Sequence, residues 1–158
     1  MTFPLFSAPE IEASRRLAYT ANAIDRQSEN RSDDAVTTAL ADPRTRLLLL
    51  GDGRVWLRKT EAGFDPWYER AEAEALSARL DAAVLLGWDD RGPVVAATGG
   101  IDAEALPPEV KAIDYRSVTV QGLIDQAALR ALAQAGALSA WHATHAFCGR
   151  CGKPTEMR

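Results

Sequence analysis

Cys148 and Cys151 stand two residues apart in the run 141–152, WHATHAFCGRCG, and they are the only cysteines among 158 residues. Two thiolates at that spacing can grip one zinc ion from one side. A structural zinc takes four protein ligands in a tetrahedron, so the pair is half a site. Phe147 before the pair and Gly149 and Gly152 around it suit a zinc knuckle. A knuckle is a tight turn whose backbone N–H groups point at the sulfurs, and glycine permits it. A thioredoxin-type redox pair would need a strand before the motif and a helix after it. Here a long helical stretch comes first, and GKPTEMR, which follows, is too short for a helix. His142, His145, Cys148 and Cys151 also fall three apart and could pass for a complete ligand set. Ten contiguous residues whose first half is helical do not readily close a tetrahedron, so the histidines are expected to cap or pack the helix end instead.

The element that must position this motif is the helix expected from Leu123 to about Thr144. Ile124, Ala128, Ala131, Ala135 and Leu138 recur at helical spacing as its buried stripe. Gly136 lies inside it at a cost of about 1 kcal/mol relative to alanine, which a close contact would rationalise. Upstream, Arg46–Leu50 and Arg54–Lys59 are β-type runs joined by Gly51-Asp52-Gly53, which reads as a hairpin. The first run is apolar almost throughout, as a central strand would be. In the second, Val55 and Leu57 share a face. Strands over 82–88 and 94–98, joined through Asp89–Pro93, give a second hairpin. Helices are expected over 10–21, over 35–41 with Asp33 or Asp34 as cap, and over 69–80. Residues 63–67 read as a turn and 22–35 as a surface loop. The stretch 101–121 reads as loop, with a short strand at 116–120. Together these predict an α+β fold: a mostly antiparallel or mixed sheet of two hairpins, with packed helices and a long C-terminal helix.

A chain with net charge −4 lacks the domain-wide basic field of nucleic-acid binders, so no DNA partner is expected. No segment approaches the roughly 18 apolar residues of a membrane span, so no membrane is expected either. The first residues do not read as a secretory signal. Two cysteines make no disulfide framework, and a reducing cytoplasm is the expected compartment.

The run WHATHAFCGRCGKPT resembles the junction between the N-terminal domain and the zinc ribbon of the NADH pyrophosphatase family of Nudix hydrolases, some of which act on NAD-capped RNA. Trp141, His142, Phe147, Cys148, Cys151, Gly152, Pro154 and Thr155 all match. NAIDRQSENR (22–31) is similar to the family's Asn-x-Leu-Asp-Arg motif with a later arginine, through Asn22, Ile24, Asp25, Arg26 and Arg31. Leu86-Gly87 resembles a Leu-Gly pair at the end of a central strand. The departures are a missing second CxxC and a missing Nudix box. No Arg-Glu or Glu-Glu dipeptide occurs in the chain.

The resemblance implies a degenerate Nudix-like sandwich over 1–144, a truncated start of the zinc ribbon over 145–158, and a catalytic Nudix domain absent from this chain. The parent enzyme would hydrolyse the NAD(H) pyrophosphate to nicotinamide mononucleotide and AMP. It would use structural zinc, and magnesium or manganese in the missing catalytic domain. The chain itself would be a non-catalytic domain, inactive alone, that supports its own catalytic domain and a homodimer. Asp25, Arg26 and Arg31 are the candidates for a substrate or interdomain contact. Cys148 and Cys151 are the half metal site. The alternative is an interaction module in which two chains share one zinc through their CxxC pairs.

Overall fold

The computed structural model describes residues 22–155. The helix expected over 10–21 lies outside them. The described residues open with a loop, and then α1 covers Ala35–Ala41. Asp34 takes the cap position without a side-chain cap bond. The strands are β1 (Arg46–Gly51), β2 (Arg54–Thr60), β3 (Gly63–Asp65) and β4 (Trp67–Tyr68). After α2 (Arg70–Ala75) come β5 (Arg79–Asp89), β6 (Gly92–Thr98) and β7 (Val110–Asp114). Two helices close the order, α3 (Tyr115–Gln121) and α4 (Gln126–Thr144).

These strands make one mixed sheet in the order β3-β2-β1-β6-β5, with β4 added to β1 and β7 to β2. β1 and β6 run parallel, and every other pairing is antiparallel. The β1–β2 connection is the expected hairpin, and Asp52 and Gly53 both have positive φ, as a two-residue turn of the twist-matched kind demands. β1 is buried along Leu47–Leu50, with Leu47 and Leu49 on one face and Leu48 and Leu50 on the other. The period-two alternation therefore feeds two cores. α1 and α2 cover the Leu47 face with Ala39, Ala73 and Leu76. α3 and α4 cover the Leu48 face with Val118, Ala128, Leu129, Ala131, Leu132 and Ala135. The result is three layers, helix–sheet–helix, consistent with a Nudix-like fold. In β2, Val55 and Leu57 share the α4-side core as expected, while Trp56 is buried on the opposite face.

Four local expectations are corrected. The helix expected over 69–80 stops at Ala75, because Ser77 adopts a positive φ of 55° and β5 begins at Arg79. Arg79 and Leu80 are strand residues, and Ala71 and Ala75 are exposed. Residues 116–120 are helical despite their β-branched side chains. The Asp114 carboxylate caps the helix by accepting from Ser117 N at 2.8 Å, and Gly122 ends it at φ 62°. Residues 110–114, expected as loop, form β7 beside β2. The expected turn at 63–67 holds β3 and the start of β4, pinned by Arg58, which pairs with Asp65 at 2.7 Å and with Glu72.

Candidate functional site

The loop 22–31 and the strand β5 lock together at one irregularity. The β5–β6 ladder runs Leu85↔Val95 and then Gly87↔Val94, so Leu86 is an extra residue in the strand. This is a β-bulge, and it leaves the Leu86 carbonyl outside the ladder. Two side chains take that carbonyl. Gln134 on α4 donates to it from Nε2 at 2.9 Å, and Arg31 donates from Nη2 at 3.2 Å. Asn22 donates in turn to Gln134 Oε1 at 2.7 Å. Asp25 and Trp88 exchange both backbone hydrogen bonds, at 2.8 and 3.0 Å, so the loop adds a single antiparallel bridge to the outer edge of β5. Gly87, at φ 144°, is where the loop presses closest. A Cβ there would overlap the Asp25 carbonyl oxygen and lie 2.7 Å from Ile24 Cγ2. The Leu-Gly pair and the Asn…Asp-Arg…Arg run, which are separate in sequence, thus form one structural junction with α4.

Within that junction the three candidate contact residues have different surroundings. The Asp25 carboxylate accepts from Gln27 N at 3.0 Å and shapes its own turn. Arg31 also donates from Nε to the Arg26 carbonyl at 2.8 Å, so its guanidinium is held by two backbone oxygens. Burial, and next the charge of Arg26, lower the pKa of Arg31. Among the described residues, neither Arg26 nor Arg31 has a carboxylate within ion-pair distance. Both arginines line a cleft of about 370 Å³ that also reaches Asp33, Asp81, Leu138 and His142. That His142 joins the arginines was not foreseen. The signal lay in its position: His142 follows Gln134 and Leu138 at helical spacing on α4, and Gln134 is the residue that grips the junction.

One turn further on, α4 ends at His145, which is the C-cap. Its ring stacks on Trp141 with centroids 4.6 Å apart, and His142 meets the edge of the same indole at 5.3 Å. The histidines therefore pack and cap the helix end, as expected. Residues 146–155 fold into a miniature hairpin, with Phe147 bridged to Pro154 and Cys148 N donating to Lys153 O at 2.8 Å. Gly152, at φ 68°, donates to Cys148 O at 2.8 Å. The backbone N–H groups of Arg150 and Cys151, followed by the Cys151 side chain, hydrogen-bond the Cys148 sulfur and lower its pKa. This is the donor arrangement a knuckle turn is expected to present to a thiolate. Among the described residues a hairpin follows the pair, where a thioredoxin-type motif would place a helix. Among the described residues no group of three or more His, Cys, Asp or Glu could hold a metal, so the four-ligand combination of His142, His145, Cys148 and Cys151 does not form. Two thiols fit half of a tetrahedral zinc site.

The acids on α2 serve the fold. Glu72 accepts from Glu69 N at 2.8 Å to complete a capping box, and it pairs with Arg58. Glu74 pairs with Arg70 at 2.8 Å. No helix is long and apolar enough to cross a membrane among the described residues. No curated protein sequence matches the chain significantly. Residues 44–141, from just before β1 to near the end of α4, match the model of an NADH pyrophosphatase-like rudimentary NUDIX domain. With the whole sheet, the bulge at Leu86 and most of α4 inside the matched span, the chain belongs to the NADH pyrophosphatase-like rudimentary NUDIX domain family.

Proposed function

We propose that this chain is the non-catalytic N-terminal domain of an NADH pyrophosphatase. The observation that carries the reading is the match over 44–141 followed directly by the cysteine knuckle, the order the family resemblance implies. The parent hydrolyses the NAD(H) pyrophosphate to nicotinamide mononucleotide and AMP in the cytoplasm. The carboxylates for magnesium or manganese belong to a partner Nudix domain. When bound there, such a metal would supply the Lewis-acid chemistry for pyrophosphate hydrolysis. The rudimentary domain supports that catalytic domain and a homodimer. Its own acids are poor candidates for hard-metal ligands, because Glu72 and Glu74 are committed to capping and ion pairs. The purified chain, given NADH with magnesium or manganese, is expected to release no AMP. Turnover near that of a complete NADH pyrophosphatase would overturn the assignment.

A second reading concerns zinc. The knuckle supplies Cys148 and Cys151 as two thiolates, and the missing pair comes either from a second CxxC or from a second copy of this chain. Phe147 and Trp141, 66% and 54% exposed beside the knuckle, favour a covered interface there. With zinc added, a shared site predicts one ion for two chains and a dimer that a chelator dissociates. A metal-free monomer under the same conditions would remove the shared site and leave the accessory-domain reading intact.

A further inference from the structure

The cleft at the junction has a composition that the structural role of its residues does not explain. Arg31 spends two of its five N–H donors on carbonyl oxygens, which fix the fork and leave the rest for another acceptor. Arg26 makes no side-chain hydrogen bond or ion pair among the described residues, yet it stands close enough to Arg31 to depress it. Two guanidiniums in mutual repulsion, one of them immobilised, form a poor surface pair and a good receptor for a doubly charged oxyanion. His142 adds an imidazole to the same cleft, and Val36, Leu40, Leu80 and Leu138 give it apolar wall. The two acids present are Asp33 and Asp81. Asp81 lies 3.9 Å from Arg79, and neither acid pairs with Arg26 or Arg31. They disfavour a polyphosphate and can accept from hydroxyl or ring N–H groups. The volume of about 370 Å³ lies in the range of small-molecule sites.

We propose that this cleft binds a phosphomonoester carrying a flat, partly apolar group, a nucleoside monophosphate in type, with the phosphate on Arg26 and Arg31 and the ring against Leu138 and Leu40. The site is complete on this chain and requires neither zinc nor a catalytic partner. Its failure and that of the proposed function are therefore separate results.

The test is a titration of the full chain followed by backbone amide NMR at low salt, with AMP, inorganic phosphate and adenosine as probes. AMP is expected to shift the amides of residues 26, 31, 87 and 138–142 saturably. Phosphate should compete with AMP, and adenosine should bind at least about tenfold more weakly. Arg26→Ala should weaken AMP binding about tenfold without moving the melting temperature, since among the described residues its side chain makes no hydrogen bond or ion pair. Arg26→Gln serves as the second variant should the alanine form fold poorly. The absence of saturable shifts at millimolar AMP would overturn the proposal. So would adenosine binding as tightly as AMP, or an unchanged affinity in both Arg26 variants.

Discussion

Gly87→Ala is expected to destabilise the chain by about 3 kcal/mol or more, a large part of a typical domain's stability. Two effects add. At φ 144° an alanine backbone is strained by about 1–3 kcal/mol on its own. The new Cβ would also overlap the Asp25 carbonyl and crowd Ile24 Cγ2 at 2.7 Å. Backbone cannot rotate out of the way as a flexible side chain can, so either β5 or the loop must move. Moving the loop breaks both hydrogen bonds between Asp25 and Trp88 and pulls Arg31 off the Leu86 carbonyl. Urea denaturation measures the loss. Amide exchange at Asp25 and Trp88 reports whether the bridge opens before the rest unfolds. A variant with wild-type stability and a protected bridge would mean that the loop does not rest on Gly87.

What the sequence disclosed and what it concealed divide along a physical line. β1 was legible because four consecutive leucines beside a Gly-Asp-Gly turn admit few other placements. α4 was legible because its apolar stripe runs over about four turns, and the close contact expected at Gly136 is real: a Cβ there would lie 3.1 Å from Tyr115 Cε2 on α3. Residues 76–80 misled because alanine-rich sequence favours helix locally, while Ser77 turns the chain and the open edge of β6 takes Arg79 into the ladder. Tertiary pairing overrode propensity there. At 116–120 the β-branched run outweighed a capping pattern already visible in the sequence, Asp114 three residues before Ser117 and Gly122 at the end.

The site shows the same division. The turn around Cys148 and Cys151 depends on neighbours in sequence, and its tightness was foreseeable from glycine spacing. The junction depends on residues 112 apart, as in the bond from Asn22 to Gln134, and on a bulge that no local pattern announces. Asp25, Arg26 and Arg31 were legible as a motif. That Asp25 shapes its own turn and bridges β5 through its backbone, while the two arginines face a cleft with His142, could come only from the fold.

Asp89→Asn is expected to cost about 2 kcal/mol at neutral pH, and the cost should shrink in acid. Asp89 ends β5 and pairs with Arg46 of β1 at 2.5 Å, with side chains only 14% and 16% exposed. Arg46 lies over the Trp67 ring at 4.6 Å, and its Nε and Nη1 are buried without a hydrogen-bond partner among the described residues. Removing the acid therefore leaves a cation already short of acceptors, which is the costly way to break a buried pair. Burial alone would raise the Asp89 pKa. The hydrogen bond from Arg46, the Arg91 backbone N–H at 3.0 Å and the Arg46 charge outweigh it and hold the pKa below its usual value. A depressed folded-state pKa contributes stability that is present above the unfolded value, about 3.9, and is lost as pH falls through the folded value. The gap between wild type and variant in urea midpoint should thus be full near neutrality and narrow progressively below about pH 4. A gap of constant size across that range would assign the effect to packing and hydrogen-bond geometry instead of charge.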